Sequence, residues 1–160
     1  MSDYGLFRPE NVKLNVKCCA AEDVIRQLGW ALTENGDVVD GYAAACEERE
    51  QLYPTGLQLE TTGVALPHAD SHYVKRSAIA VATLLEPVTF RKMGDPAQDV
   101  SVRAVFMLAP QKGEEQLLFL EGLVAFFQQG DLLQKLFSRS SAHQAAQFLQ
   151  KYVFGRRSTQ

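Results

Sequence analysis

The sequence predicts an α/β fold, a mixed β-sheet flanked by helices. Three observations predict it. Helical periodicity fills the first and last thirds of the chain. Residues 78–85 and 102–109 are nearly continuous apolar runs, as expected for central strands covered on both faces. The remaining middle segments are short, β-rich and punctuated by Gly, Pro and Asp. With 160 residues the chain is expected to form one domain, 1–160, with a real core and a frayed tail "GRRSTQ" at 155–160.

Taken in order, Val12, Leu14 and Val16 alternate with polar residues, so "NVKLNV" reads as a short strand. In "AAEDVIRQLGWALTENG" the residues Val24, Ile25, Leu28, Ala31 and Leu32 share one helical face. Glu22 and Asp23 suit its first turn and Gly36 its stop. Asp40 is the expected cap of a second helix, "GYAAACEEREQLY", which Pro54 ends. "GLQLE", "GVAL", "SAIAVATLL", "VTF" and "VRAVFMLA" read as strands. "EPVTF" suggests a tight connection into a neighbouring strand, and "RKMGDPAQD" a polar loop. "GEEQLLFLEGLVAFFQQG" reads as a helix whose stripe of Leu117, Leu120, Leu123, Val124 and Phe127 is expected in the core. "DLLQKLFSR" and "AHQAAQFLQKYVF" follow as shorter helices, with His143 structural.

Composition narrows the function classes. Sixteen basic against nineteen acidic residues leave a net charge of −3, so no general attraction to nucleic acid or anionic lipid is expected, although a local basic patch is compatible with it. Cys18, Cys19 and Cys46 lack metal or disulfide spacing and read as reduced thiols. The N-terminus lacks a signal-peptide core, and no run approaches the roughly 20 apolar residues that span a bilayer. A soluble, cytoplasmic protein without membrane insertion is expected.

The chemistry gathers in "TTGVALPHADSH", residues 61–72. His68, Asp70 and His72 have the H-x-D-x-H spacing of a zinc or iron site, although nothing singles out a general base and Pro67 favours an irregular loop. A second reading makes His68 a nucleophile toward phosphorus. Its neutral imidazole is available near pH 7, provided the other ring nitrogen is held as a donor and cations cradle the phosphoryl oxygens. Arg49 suits that cradle, unless it is simply a solvated member of "EERE". In the third reading His68 is only part of a polar surface loop.

"REQLYPTGLQLETTGVALPHAD", residues 49–70, resembles the enzyme IIA domain of the fructose/mannitol class in the bacterial phosphoenolpyruvate-dependent sugar phosphotransferase system. Arg49-Glu50 ends a helix, Pro54-Thr55-Gly56 makes the turn, and Val64-Ala65-Leu66-Pro67-His68 closes an apolar strand in Pro-His. The wording "PTGL" is most similar to the galactitol-specific branch. The resemblance implies a cytoplasmic phosphocarrier and a fructose/mannitol-type fold. His68 would accept a phosphoryl group from phospho-HPr and pass it to a cysteine of enzyme IIB, which serves the membrane component IIC. Arg49 and Thr55 would line the active site, and neither metal nor nucleotide cofactor is needed. A related alternative is a regulatory IIA-like module that signals by binding partners according to its phosphorylation state.

One departure from the pattern bears on mechanism. Mannitol and fructose members carry a second histidine where this chain has Gln116, which can donate a hydrogen bond to a phosphoryl oxygen but cannot carry a proton. His72 is the candidate to substitute in part. The docking face around His68 is expected to be apolar and shallow, for weak and transient encounters.

Overall fold

The computed structural model describes residues 5–155. The tail expected to fray lies, apart from Gly155, outside the described residues. The architecture is the expected one: a five-stranded mixed sheet between two helical layers. β1 (Val12–Val16) is followed by α1 (Ala21–Glu34) and α2 (Tyr42–Leu52), then by β2 (Gly56–Gln58) and β3 (Gly63–Ala65). β4 (Ala78–Lys92) and β5 (Asp95–Ala109) precede α3 (Glu115–Phe127), α4 (Leu132–Phe137) and α5 (Ala142–Leu149), and a π turn covers Gln150–Phe154. β4 pairs with β1 in parallel and with β5 antiparallel. β5 takes β3 in parallel on its other side, and β3 pairs with β2 antiparallel.

The period-two alternation of β4 and β5 sorts side chains into two cores. Ile79, Val81, Ala104, Phe106 and Leu108 face α3, α4 and α5, where Leu123, Phe126, Leu136, Ala145 and Leu149 meet them. Ala78, Ala80, Ala82, Val105 and Met107 face α1 and α2. The α1 stripe is buried as its periodicity predicts: Val24, Ile25, Leu28, Ala31 and Leu32 all lie inside.

Several local expectations are corrected. Asp40 does not cap α2. The cap position falls on Gly41, in the left-handed region at φ +98°, and no side chain bonds the helix start. "SAIAVATLL" and "VTF" are not neighbouring strands but one long β4. Thr83 faces Ala104 and Val88 faces Val102, so residues 84–87 bulge out opposite Arg103 alone. Pro87, which cannot donate to a ladder, sits in that bulge, where no donor is needed. The supposed polar loop "RKMGDPAQD" is the end of β4, a tight turn with Gly94 at φ +81°, and the start of β5. In α3 the buried face is Phe119, Leu123, Phe126 and Phe127, whereas Leu117 and Val124 of the expected core stripe are exposed.

Candidate active site

His68 lies just beyond β3, where the chain leaves the sheet. The Pro67 carbonyl accepts from the Leu108 N–H at 3.0 Å, and His68 forms a parallel bridge with Leu108 near the end of β5. The buried Tyr42 hydroxyl donates to the Leu108 carbonyl, which ties α2 to the same point. Burial pushes the Tyr42 phenol well above its ordinary pKa, so it stays a neutral donor.

The imidazole itself is half-buried. Its Nδ1 lies 3.0 Å from the Leu66 carbonyl oxygen. A carbonyl can only accept, so Nδ1 carries the proton and Nε2 keeps its lone pair. Nε2 has no hydrogen-bond partner among the described residues. Burial lowers the His68 pKa, against the pull of the Leu66 hydrogen bond, and the nearby Arg49 charge lowers it further. The ring is therefore neutral at pH 7, with one nitrogen committed and one available as a nucleophile.

The Leu66 carbonyl is held in turn. The Leu66 N–H donates to Thr55 Oγ1 at 3.0 Å, and the Thr55 hydroxyl donates to Glu50 Oε1 at 2.8 Å. The Thr55 N–H donates to the other Glu50 oxygen at 2.7 Å. Both oxygens of Glu50 thus accept, the pattern of a carboxylate. Burial raises the Glu50 pKa and these two bonds oppose the rise. The result is a clamp from the end of α2 through the turn to the strand that ends in His68. Thr55 is 4% exposed and its proton is committed to Glu50, so its hydroxyl holds the backbone here rather than facing a ligand.

On the downstream side, the fully buried Asp37 carboxylate takes Arg8 and Arg76 at 2.7 Å each and Asn11 at 2.8 Å. Its carbonyl accepts from the N–H groups of Lys75 and Arg76, while the Val39 N–H donates to Tyr73. The loop after His68 is thereby fastened to the α1–α2 connection.

The remaining sequence candidates are distributed around this framework. Arg49 is exposed near the end of α2, forms no ion pair among the described residues, and holds its guanidinium 5.2 Å over the Tyr53 ring. Its charge is felt at both His68 and Asp70. Gln116 lies in the first turn of α3, which is fastened to the start of β4. There Ser77 donates to Glu115 at 2.8 Å and accepts the Gln111 N–H at 2.9 Å. The Gln116 Nε2 is buried with no hydrogen-bond partner among the described residues. His72 has partners within its own loop: its Nδ1 meets Asp70 at 2.9 Å and its ring stacks on Tyr73 at 4.2 Å. Residues 71–73 form a 3-10 turn capped by Asp70, so the H-x-D-x-H spacing does not lie on a strand. Among the described residues no three His, Cys, Asp or Glu side chains gather as a metal site.

A family profile for the phosphoenolpyruvate-dependent sugar phosphotransferase system, EIIA 2, matches residues 5–152. The chain belongs to that family. The galactitol-specific EIIA component of Escherichia coli (strain K12) is 29% identical over 142 residues, covering 89% of this chain and 93% of that one. Transcriptional regulator ManR of Bacillus subtilis (strain 168) is 39% identical over 95 residues, which are 59% of this chain but 13% of ManR. The fold is that of enzyme IIA for mannitol in its complex with phosphorylated enzyme IIB from Escherichia coli. The TM-score is 0.70 at 24% identity, covering 88% of this chain and 94% of that one.

Within this EIIA 2 chain, sequence reasoning passed over Glu50, Tyr42 and the Leu66 carbonyl as parts of the site. Glu50 looks like one more solvated acid in "EERE", and in the fold it is half-buried and bonded to Thr55. A backbone carbonyl leaves no trace in residue identity. The available signal was the threonine one turn past the helix end, a residue type that readily bonds backbone and carboxylate together.

Proposed function

We propose that this EIIA 2 chain works as a single phosphocarrier domain. It takes a phosphoryl group from phospho-HPr onto Nε2 of His68 and hands it to a cysteine of enzyme IIB, in a system for galactitol or a related polyol. The observation that carries this reading is the fixed tautomer, with Nδ1–H donating to the Leu66 carbonyl and Nε2 unprotonated.

The Nε2 lone pair attacks phosphorus while the phosphorus–nitrogen bond to the HPr imidazole breaks, and that imidazole keeps the electron pair. No proton moves. The His68 ring gains positive character as the bond forms, and the Leu66 carbonyl stabilises it through the retained Nδ1–H. Arg49 supplies a cation for the phosphoryl oxygens, and the Gln116 amide, whose Nε2 is buried and unbonded among the described residues, becomes a donor to them when its side chain turns outward. The thiolate of enzyme IIB then attacks phosphorus and Nε2 leaves with its lone pair restored. Thr55 acts by holding Leu66, and His72 belongs to the rim.

The surroundings suit docking of two successive proteins. Leu52 and Tyr53, 65% and 63% exposed, follow Arg49, while exposed Leu117 and Leu118 follow Gln116. Small clusters of this kind fit partners that must leave again. No helix among the described residues is long and apolar enough to cross a membrane, and the reading places the chain in the cytoplasm with enzyme IIC contacted only through enzyme IIB.

Incubation with phosphoenolpyruvate, enzyme I and HPr is expected to add one acid-labile phosphate that the His68→Ala variant does not acquire. Undiminished labelling of that variant overturns the assignment. The similarity to a transcriptional regulator supports a second reading, in which the phosphorylated and free forms differ in partner binding. A phosphorylated chain that donates to no enzyme IIB cysteine would favour it.

A further inference from the structure

The C-terminal layer carries a feature that the chemistry at His68 does not use. Residues 131–157 contain five of the chain's sixteen cations and one of its nineteen carboxylates, against an acidic remainder. Three of those cations, Lys135, Arg139 and Lys151, line one cleft of about 500 Å³ together with the amides of Gln144 and Gln147 and the rings of Phe148 and Tyr152.

Several side chains of this cleft already have partners within the protein. The Arg139 guanidinium sits 4.6 Å over the Phe148 ring, and its Nε donates to the Lys135 carbonyl at 3.1 Å. One face and one edge are thus engaged, and no carboxylate pairs with its terminal nitrogens among the described residues. Lys151 Nζ lies 5.2 Å over Tyr152. Among the described residues Lys135 has one loose, exposed ion-pair partner, Asp131, 3.6 Å away, which a stronger anion can replace. The Gln144 carbonyl already accepts from the Ser140 N–H and hydroxyl, so what Gln144 offers the cleft is its N–H₂. The wall carrying Lys151 and Tyr152 is a π turn, a rare geometry that concentrates at functional sites.

We propose that this cleft binds a small phosphorylated ligand carrying at least two negative charges, such as a sugar bisphosphate or a diphosphate. The lining is rich in donors and contains no carboxylate, and the Phe148 ring with the Lys135 carbonyl holds Arg139 before a ligand arrives, which lowers the entropic cost of binding. Its size suits a small anion. The site is separate from His68 and its fate does not depend on the phosphocarrier reading.

The test is titration of the full chain with inorganic pyrophosphate and, separately, fructose 1,6-bisphosphate, followed by two-dimensional amide NMR. Saturable shifts centred on Arg139, Gln144, Gln147, Lys151 and Tyr152, weakening as salt is added, are the expected result. An Arg139→Gln/Lys151→Gln double variant should bind at least about tenfold more weakly, a loss of 1.4 kcal/mol or more. That variant should keep its folded spectrum and still accept phosphate from HPr, while His68→Ala should bind the probes like the wild type. Shifts spread equally over Lys75 and Lys112, or unchanged binding by the double variant, overturn the proposal. Vesicles containing phosphatidylserine separate the sources of the phosphate. If they bind alongside the soluble probes, and both are lost in the double variant, the site stands with a lipid headgroup as a further ligand. If vesicles bind while neither soluble phosphate does, or single-stranded RNA binds more tightly with length, the small-ligand assignment fails.

Discussion

Replacing Thr55 by valine removes one oxygen from the centre of the site while keeping the side chain's shape. In the wild type that hydroxyl accepts from the Leu66 N–H at 3.0 Å and donates to Glu50 at 2.8 Å, at a position 4% exposed. Valine leaves the buried Leu66 N–H without an acceptor, which costs about 1–3 kcal/mol, and removes a hydrogen bond to a charged group worth about 1.5–3 kcal/mol. The extra buried methyl returns about 0.8 kcal/mol. The Thr55 N–H still reaches Glu50 at 2.7 Å, which keeps the net near the lower half of the range, about 2–4 kcal/mol. With a urea slope of about 2 kcal/mol/M the unfolding midpoint should fall by roughly 1–2 M. Thr55→Ser, which retains both bonds, should lose under about 1 kcal/mol. At low urea, where both variants are folded, ¹⁵N spectra should show the His68 ring of Thr55→Val in mixed tautomers and that of Thr55→Ser in one. Phosphate acceptance by Thr55→Val should fall about tenfold to a hundredfold, because the nucleophile is no longer held in register. A Thr55→Val protein within about 0.5 kcal/mol of wild type, with a single His68 tautomer, would refute the clamp.

Asp37→Ala leaves the largely buried Arg8 without its carboxylate and should cost about 3 kcal/mol in urea unfolding, because breaking one partner of a buried pair strands the other charge, while the half-exposed Arg76 is solvated instead. Acidification should act through His68. Burial lowers its folded pKa below the ordinary value of 6.5, so the unfolded chain takes up the proton first. Stability is then lost as pH falls from 6.5 through the folded pKa and levels off below it. A His68→Gln variant, followed by urea midpoints at each pH, should lack that component, and a wild-type curve parallel to it would contradict the sign. Arg49→Lys keeps the charge but loses the planar fork over Tyr53, and should accept phosphate more slowly with little change in stability, since Arg49 is exposed and forms no ion pair among the described residues. Stopped-flow transfer from phospho-HPr measures it, and an unchanged rate would show that the planar fork contributes nothing to the cradle.

Much of the fold was legible because local pattern and tertiary role agree. The α1 stripe and the apolar runs of β4 and β5 bury the residues their periodicity names. Legibility failed where one residue serves two purposes. Pro87 and Gly94 read as breaks between strands, yet Pro87 occupies a bulge inside one strand and Gly94 turns a continuous hairpin. Leu117 and Val124 match a helical core stripe but are exposed, because α3 is apolar on more of its surface than the sheet covers. In the site, "VALPH" announced the imidazole. The partners that choose its tautomer are a backbone carbonyl, a half-buried glutamate and a threonine, which lie within the 49–70 motif but whose bonding to one another residue identity does not reveal.

The central claim is that one specific atom, Nε2 of His68, carries the phosphoryl group. ³¹P and ¹⁵N NMR of the chain phosphorylated through HPr reads that atom directly. The account predicts phosphorus coupled to Nε2, with Nδ1 still protonated and bonded to the Leu66 carbonyl. Phosphorus on Nδ1, or on any residue other than His68, would contradict it.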